Sequence, residues 1–220
     1  MSNTRLVLIR HGQSRATVER FLGGPRTCTG LTDFGRLQAQ ALRDRLITGR
    51  DVSATVLLSS NFPRAVETAQ ILAPALGSMP IGIDAGWGEH DPGPDLDGMS
   101  YDVYVAKFGT PTWSDPDEVM FPGGETVGQF HTRVVRTLRE TVRRHEGDTI
   151  VVACHGGVVD AVMRHTLQMH QTGKFELHTL NTSITEIVHV EGSKWRLVRY
   201  NDAAHLSTLQ PVATPDSSAS

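Results

Sequence analysis

The sequence contains few cysteines and few aromatic residues, and it has no long apolar run. Of its 220 residues only Cys28 and Cys154 are cysteines, and Phe, Trp and Tyr together make up 6%. Two cysteines exclude a small disulfide-stapled scaffold and favour a reducing, cytoplasmic location. A hydrophobic content of 39% excludes a disordered chain, because it is enough to bury a sizeable core.

The apolar runs are too short for a membrane-spanning protein. The longest, residues 55–58 and 149–154, fall well short of the roughly 20 residues that cross a bilayer. The first residues lead from Met1 directly into the strand-like segment Arg5–Arg10, so we expect no secretory signal. These observations predict a chain without membrane contact.

The charge of the chain is small in total but unevenly distributed. The formal net charge at pH 7 is −3, which argues against nonspecific binding to nucleic acid. Residues 1–50 contain nine arginines and three acids, a net of +6, whereas residues 65–132 contain eleven acids and Lys107, a net of −10. Two interpretations follow: the two segments neutralise each other in the fold, or a cationic pocket stands beside an anionic wall.

Strands and helices alternate along much of the chain. Short β-branched and leucine-rich runs predict buried strands, and amphipathic segments with capping residues predict helices. The predicted strands are Arg5–Arg10, Thr55–Ser59 and Thr149–Cys154, followed by a hairpin of Ser183–Val190 and Lys194–Tyr200 around Glu191-Gly192. The predicted helices are 32–48 with Thr32 as N-cap, 63–76 with Ser60 or Asn61 as N-cap, 99–108, 124–144 and one that follows His155-Gly156-Gly157.

This alternation predicts an α/β fold with parallel strand pairing. We expect one domain, residues 1–210, built as a three-layer α/β/α sandwich with a mostly parallel central sheet. Residues 13–30 lack helical periodicity and predict a surface loop. Residues 80–122, rich in proline, glycine and acids, predict a small irregular cap insertion. The tail 211–220 is expected to be disordered.

Two predicted strands end in a histidine that is followed by glycine, His11-Gly12 and His155-Gly156-Gly157. The carboxyl ends of parallel strands form the ligand crevice of an α/β sheet, so both imidazoles are expected at one edge. Arg10 precedes the first histidine, and Arg64 lies in the first turn of the helix after the second strand. Guanidinium forks and a helix N-terminus are suited to phosphate. The pattern therefore predicts a site for a phosphoryl group.

Several spaced motifs resemble those of the histidine phosphatase superfamily, which includes cofactor-dependent phosphoglycerate mutases and broad-specificity phosphatases. Together they cover about residues 5–206. The motifs are Arg10-His11-Gly12-Gln13-Ser14, Leu31–Ala39, Ser59–Ala69, Pro122–Thr126, His155-Gly156, Asn181–Thr185 and Tyr200–Leu206.

The resemblance implies covalent catalysis without a metal or another cofactor. His11 would accept the phosphoryl group as the nucleophile and form a phosphohistidine that water later hydrolyses. Arg10, Arg64 and a protonated His155 would bind the phosphoryl oxygens.

Further phosphate contacts are expected from the first loop and from the turn after the third strand. Many members of the family have an asparagine where this chain has Thr17. The missing bond is expected from the hydroxyl of Ser14 or Thr17, or from the amide of Gln13. Gly156, at the start of a helix, is expected to contact the phosphate as well.

The resemblance also implies a carboxylic acid that protonates the leaving group. Glu89 is the first candidate, and Asp91, two residues further along, is the alternative. The crowd of carboxylates in residues 87–98 is expected to hold the acid protonated until it reacts.

Other conspicuous residues have structural interpretations. Cys154 ends an apolar strand and is expected to be a small buried residue. The remaining histidines lack the spacing of a zinc site, and His205 is expected to support the site from behind. Four arginines are expected to form a solvated stripe on one helix: Arg133, Arg136, Arg139 and Arg143.

Three functions remain open at this point. We expect a phosphatase that acts on a small phosphorylated metabolite. The alternatives are a phosphoglycerate mutase-type transfer and a non-catalytic module that binds phosphate or phosphoprotein. The acidic segment 65–132 favours hydrolysis, because a second phosphate would meet an anionic wall. No nucleic-acid or membrane partner is expected, and a homodimer is one option for the oligomeric state.

Overall fold

The computed structural model describes residues 3–50, 52–190, 194–207 and 209. The strands are β1 (Thr4–Arg10), β2 (Val56–Ser59), β3 (Ile81–Ile83), β4 (Thr149–Cys154), β5 (Ile184–Val190) and β6 (Lys194–Asp202). The helices are α1 (Arg15–Val18), α2 (Asp33–Gly49), α3 (Pro63–Leu72), α4 (Tyr101–Phe108), α5 (Val127–Arg144) and α6 (Gly156–Thr166). Short 3₁₀ turns lie at Ala73–Leu76, Ala85–Trp87 and Ala204–Leu206.

The strands of the described residues form one sheet in the order β3-β2-β4-β1-β5-β6. β3, β2, β4 and β1 run parallel to one another, β5 is antiparallel to β1, and β6 is antiparallel to β5. Arg10 pairs with Cys154, and Ser59 pairs with Ala153. The register therefore aligns the carboxyl ends of β1, β4 and β2, and the residues after these strands meet at one edge.

Helices cover both faces of the sheet. Side chains alternate between the faces of a strand, so β1 sends Leu6 and Leu8 to a core under α5 and α6. Its other face, with Val7 and Ile9, packs beneath α2 and α3. The predicted three-layer α/β/α sandwich with a mostly parallel sheet is confirmed.

Local sequence signals account for most helix ends. Thr32 caps α2, and its hydroxyl accepts a hydrogen bond from the Gly35 amide at 2.9 Å. The predicted N-caps of α3 were wrong, because Phe62 occupies that position and makes no side-chain capping bond. The short helix α1, inside the predicted loop, and the three-residue strand β3 were also missed. Both are too short for a period to show in the sequence.

The cap contains residues from two parts of the chain, the first loop and the insertion at 80–122. The Leu22 amide donates to the Met99 carbonyl at 2.8 Å, and the Gly98 amide donates to the Leu22 carbonyl at 2.8 Å. A small core of Leu22, Leu96 and Tyr104 joins the two parts. The cap is thus more ordered than the predicted irregular insertion.

The basic and acidic segments meet in this cap. Arg20 pairs with Asp102 at 2.8 Å, and Arg26 pairs with Asp97 at 3.3 Å. The carboxylate of Asp97 is almost fully buried and also accepts the amides of Gly24 and Arg26. Mutual neutralisation therefore accounts for these charges.

Some predictions fall outside the described residues. These are the hairpin turn at Glu191-Gly192 and the tail 211–220. In the part of the chain that the structure describes, no helix has both the length and the hydrophobicity of a membrane-crossing segment.

Candidate active site

His11 follows β1 and is almost fully buried at the carboxyl edge of the sheet. The Nε of Arg64 donates a hydrogen bond to His11 Nε2 at 3.1 Å, and His11 Nδ1 lies 2.7 Å from the Gly12 carbonyl oxygen. A guanidinium can only donate, so Nε2 carries the lone pair and Nδ1 carries the proton. Burial, Arg64 and Arg10 hold the pKa of His11 well below its usual value. The imidazole is therefore neutral and presents Nε2 as a nucleophile.

His155 follows β4 and is fully buried beside His11, with the two ring centroids 5.1 Å apart. Its Nε2 lies 2.7 Å from the hydroxyl of Ser60, while Nδ1 has no partner among the described residues. Burial, Arg64, His11 and Arg10 hold the pKa of His155 well below its usual value. Burial and the nearby cations therefore oppose a positive charge on His155 in the ligand-free site, and its protonation beside a bound phosphoryl group stays a prediction.

The two predicted arginines flank the histidines. Arg64 lies in the first turn of α3, and its Nη1 donates to the Gly23 carbonyl at 2.7 Å. Arg10 donates through Nη1 to the Thr179 carbonyl, while its buried Nε has no partner in the described residues. An unpaired buried donor is costly unless a ligand satisfies it. Arg10 Nε and His155 Nδ1 are therefore two unpaired polar atoms on residues at the adjacent carboxyl ends of β1 and β4.

Glu89 reaches the same edge through the N-terminus of α6. Its Oε2 accepts a hydrogen bond from the Gly157 amide at 3.0 Å. A methyl group on Gly157 would lie 2.4 Å from Glu89 Oε1. Glu89 can therefore approach the N-terminus of α6 this closely only because residue 157 is a glycine. Gly156 lies against Arg10, and a Cβ there would be 3.6 Å from the guanidinium.

Arg133 of α5 holds the segment that carries Glu89. Its guanidinium donates to the carbonyls of Gly86 and Gly88 at 3.0 Å and of Glu89 at 3.2 Å. It also forms a bidentate pair with Glu125, at 2.6 and 2.8 Å. Arg133 is therefore not part of a solvated stripe, because α5 turns it inward against the cap segment.

The carboxylates near Glu89 in sequence are directed elsewhere. Asp91 accepts the Gly93 amide at 2.8 Å and lies 3.6 Å from Arg26. Asp97 is buried against the first loop, as described above. The expected crowd of carboxylates from this segment was therefore wrong. The pKa of Asp160 in α6 is raised by burial and, to a smaller extent, by Glu89.

The side chains of the first loop that were predicted to bind phosphate make hydrogen bonds to one another or to the N-cap of α2. The Ser14 hydroxyl caps α1 and lies 3.0 Å from the Thr17 hydroxyl. The side-chain oxygen of Gln13 accepts a hydrogen bond from Thr32 at 2.8 Å.

Several residues at the site were not predicted, although some lie within the motifs. Ser60 contacts His155, as above, and Asn181 donates to the His11 carbonyl at 2.9 Å. No sequence motif points to Asp160, Arg133 or Thr179, because only the packing of α5, α6 and the loop before β5 brings these residues to the site.

A family model described as the histidine phosphatase superfamily (branch 1) matches residues 6–203. The chain belongs to the histidine phosphatase superfamily. The resemblance expected from the motifs is confirmed, and so is the class of enzyme, a histidine phosphatase.

The relatives of this histidine phosphatase include both hydrolases and mutases. A 2,3-bisphosphoglycerate-dependent phosphoglycerate mutase from Brucella anthropi is 34% identical over 188 residues, covering 81% of this chain and 89% of the mutase. A metal-independent phosphoserine phosphatase from Arabidopsis thaliana is 27% identical over 220 residues, covering 94% and 84%. The structure of a mycobacterial glucosyl-3-phosphoglycerate phosphatase matches with a TM-score of 0.75 at 25% identity, covering 91% of this chain and 99% of that one.

Two clefts open from the candidate catalytic residues of this histidine phosphatase. The polar arm, about 620 Å³, extends from Arg10 and His11 along α6 to the loop at 171–179. The apolar arm, about 370 Å³, extends from Arg64 into the cap. Glu89, Trp113 and Gly157 line both arms.

The expectation of an anionic wall was wrong. Of the acids in residues 65–132, only Glu89 is among the residues that line the two arms. The others described above are paired within the cap. Among the described residues, no group of three or more metal-ligating side chains is arranged to hold a metal ion.

Proposed function

We propose that this histidine phosphatase hydrolyses a small phosphate monoester, without a metal, through a phosphohistidine on His11. The observation that carries the proposal is a set of unpaired polar atoms on residues at the adjacent carboxyl ends of β1 and β4. His11 Nε2 bears a lone pair, and Arg10 Nε and His155 Nδ1 are buried without partners in the described residues. Phosphate oxygens would satisfy both of these atoms and place phosphorus in front of Nε2.

In the first step, a phosphate oxygen takes the hydrogen bond that Arg64 donates to His11 in the free site. This frees Nε2 to attack phosphorus, and the bond from phosphorus to the ester oxygen breaks. The leaving oxygen takes a proton from Glu89, which lines the cleft at this point. Each preorganised donor to the phosphoryl oxygens is worth on the order of 3 kcal/mol in the barrier. The alcohol and phosphohistidine are the products.

In the second step, water attacks the phosphohistidine. The carboxylate of Glu89 accepts a proton from the water, and the bond from phosphorus to Nε2 breaks. Phosphate is released, and His11 and the protonated Glu89 return to their starting states. One residue thus serves as acid and then as base, as microscopic reversibility requires.

The polar arm favours hydrolysis over mutase chemistry. A mutase must hold a second phosphate, yet beyond Arg10 the arginine and lysine residues of this arm are Arg164 and Lys174. The guanidinium of Arg164 is engaged by Asp160 at 2.6 Å and by two backbone carbonyls, which leaves Lys174 as the further arginine or lysine of this arm for a second phosphate. The proposal therefore rests on side chains in the cleft and no longer on an anionic wall. The Brucella mutase relative keeps the alternative worth testing.

The experiment measures hydrolysis of p-nitrophenyl phosphate by the purified protein in EDTA. We expect turnover, loss of at least about 1,000-fold in His11→Ala, and near wild-type activity in His145→Ala, at the C-terminus of α5. An acid-labile, base-stable phosphoryl label should form on the wild type and be absent from His11→Ala. A requirement for metal would contradict the mechanism. Interconversion of phosphoglycerates that is stimulated by a bisphosphate primer and faster than ester hydrolysis would identify a mutase. Phosphate binding without turnover of any ester would identify a binding module.

A further inference from the structure

The apolar arm of the cleft differs in chemistry from the polar arm. Its wall consists of Phe21, Leu22, Pro92, Trp113 and Phe121. The charged residues that line it, Arg64 and Glu89, stand at its inner end and belong to the catalytic group. A group bound in this arm would lie directly beside the residue that protonates the leaving oxygen.

Trp113 has an unusual backbone conformation for its position. Its φ is +52°, in the left-handed region that a bulky residue rarely adopts. Its side chain is 46% exposed and yet lines both arms. A strained backbone that leaves a large apolar ring half in solvent is not explained by core packing. Such strain is characteristic of residues that contact a ligand.

Glu118 holds the turn that carries Trp113. Its carboxylate accepts the Thr112 amide at 2.9 Å, the Thr112 hydroxyl at 2.8 Å and the Ser114 amide at 3.2 Å. These bonds bracket Trp113 on both sides in sequence. The backbone of the turn that carries Trp113 is therefore held in place before a ligand arrives.

The rings of His90 and Phe121 form an aromatic cluster with Trp113. His90 is buried, with its ring centroid 5.8 Å from that of Trp113 and 5.5 Å from that of Phe121. Burial lowers the pKa of His90, so the ring is neutral. Both its nitrogens are covered and unpaired in the described residues. Apart from Arg64, Glu89 and the ring nitrogens of His90, the side chains that line this arm are aliphatic or aromatic and offer a charged group no ion pair.

We propose that the apolar arm binds the alcohol portion of the substrate, and that this portion is an uncharged alkyl or aryl group packed against Trp113. This inference rests on the proposed phosphatase function and adds the substrate class. Trp113 is then a specificity-determining residue. The free energy of its strained turn is offset when an apolar group covers the ring.

A series of n-alkyl phosphates from methyl to hexyl tests the proposal, because these esters have nearly the same leaving-group basicity. We expect kcat/KM to rise with chain length, by up to about fourfold per methylene, the factor that corresponds to about 0.8 kcal/mol. A flat series with methyl phosphate still hydrolysed would refute the apolar arm and leave the phosphatase function standing. No hydrolysis of any ester would instead refute the proposed function.

The variants Trp113→Ala and Trp113→Gly test the residue itself. Both should flatten the chain-length dependence, mainly by removing the decrease in KM that longer esters show with the wild type. Trp113→Gly should also keep or raise Tm, since glycine adopts this φ without strain; a purely structural tryptophan would instead lose stability. Phe108→Ala, in the same cap, 40% exposed and outside both arms, should keep the wild-type slope. An unchanged slope in both Trp113 variants would overturn the assignment.

Discussion

The substitution Gly157→Ala isolates the placement of the general acid. The added methyl carbon would lie 2.4 Å from Glu89 Oε1, whereas ordinary contacts begin near 3.4 Å. The carboxyl group must therefore move by about 1 Å. A displacement of about this size costs up to about 100-fold in rate when the group takes part in the reaction. The backbone of Gly157 has an ordinary φ, and alanine favours the helix by about 0.5–1 kcal/mol, so the fold should survive.

The assay compares kcat/KM on an alkyl phosphate with that on p-nitrophenyl phosphate. The alkoxide needs a proton and the nitrophenolate does not, so we expect about a 100-fold loss on the first ester and only a few-fold loss on the second. Inorganic phosphate should inhibit the variant as it does the wild type, because the arginines do not move. Unchanged Tm in a thermal melt would show that the fold is intact.

Gly156→Ala is the matched control. Its methyl carbon would meet its nearest neighbours, Thr179 Oγ1 and the Arg10 guanidinium, at 3.5 and 3.6 Å, which are ordinary contact distances. A far smaller loss is expected, without dependence on the leaving group. Equal losses on the two esters in Gly157→Ala, or none on either, would refute Glu89 as the proton donor and return attention to Asp91.

Two further predictions concern stability. Asp97→Ala should lower the free energy of unfolding by about 3 kcal/mol, because it removes a buried carboxylate that accepts the amides of Gly24 and Arg26. It should also weaken inhibition by phosphate, because the Gly23 carbonyl on this loop orients Arg64. In urea melts Asp102→Ala, which removes an exposed ion pair, should cost under about 1 kcal/mol, and equal effects of the two substitutions would contradict the prediction. The pKa of His131 is lowered to about 4 by burial and by Arg164 and His90. The unfolded chain takes up this proton below about pH 6.5 while the folded chain does not, so stability should fall between pH 6.5 and 4, by up to about 2 kcal/mol at pH 5. His131→Gln should weaken this pH dependence, and an identical dependence in wild type and variant would rule out His131 as its source.

Local patterns in the sequence account for the sheet and for most of the catalytic group. Continuous apolar runs marked β1, β2 and β4, and the parallel pairing that follows from strand and helix alternation placed His11 and His155 at one edge. This inference needs only short-range information, because a strand end and the turn after it are adjacent in sequence. Arg10 and Arg64 were found for the same reason.

The electrostatic state of the site depended on long-range packing. His155 was expected to be protonated because a phosphate site needs positive charge. Its burial against two arginines and a second imidazole makes it neutral before a ligand binds. Burial and the distances between segments far apart in the chain cannot be read from a sequence pattern. Neither the burial of the site nor the protonation states of its histidines could therefore be predicted from the sequence.

The uneven charge distribution also combines a feature that the sequence shows with one that only the packing decides. The basic first segment and the acidic middle segment can be counted in the sequence, but their geometry cannot. In the structure the cap brings Arg26 to Asp97 and Arg20 to Asp102, and the anionic wall disappears. Substrate preference then depends on which side chains line the two arms.

The sequence by itself determined the class of fold, the family and the candidate phosphate-binding residues, because these depend on periodicity and on residues next to strand ends. Only the tertiary structure decided which carboxylate reaches α6, where Arg133 points and how Trp113 stands between two arms of the cleft. These features arise where segments far apart in the chain pack together, and no local pattern encodes such contacts.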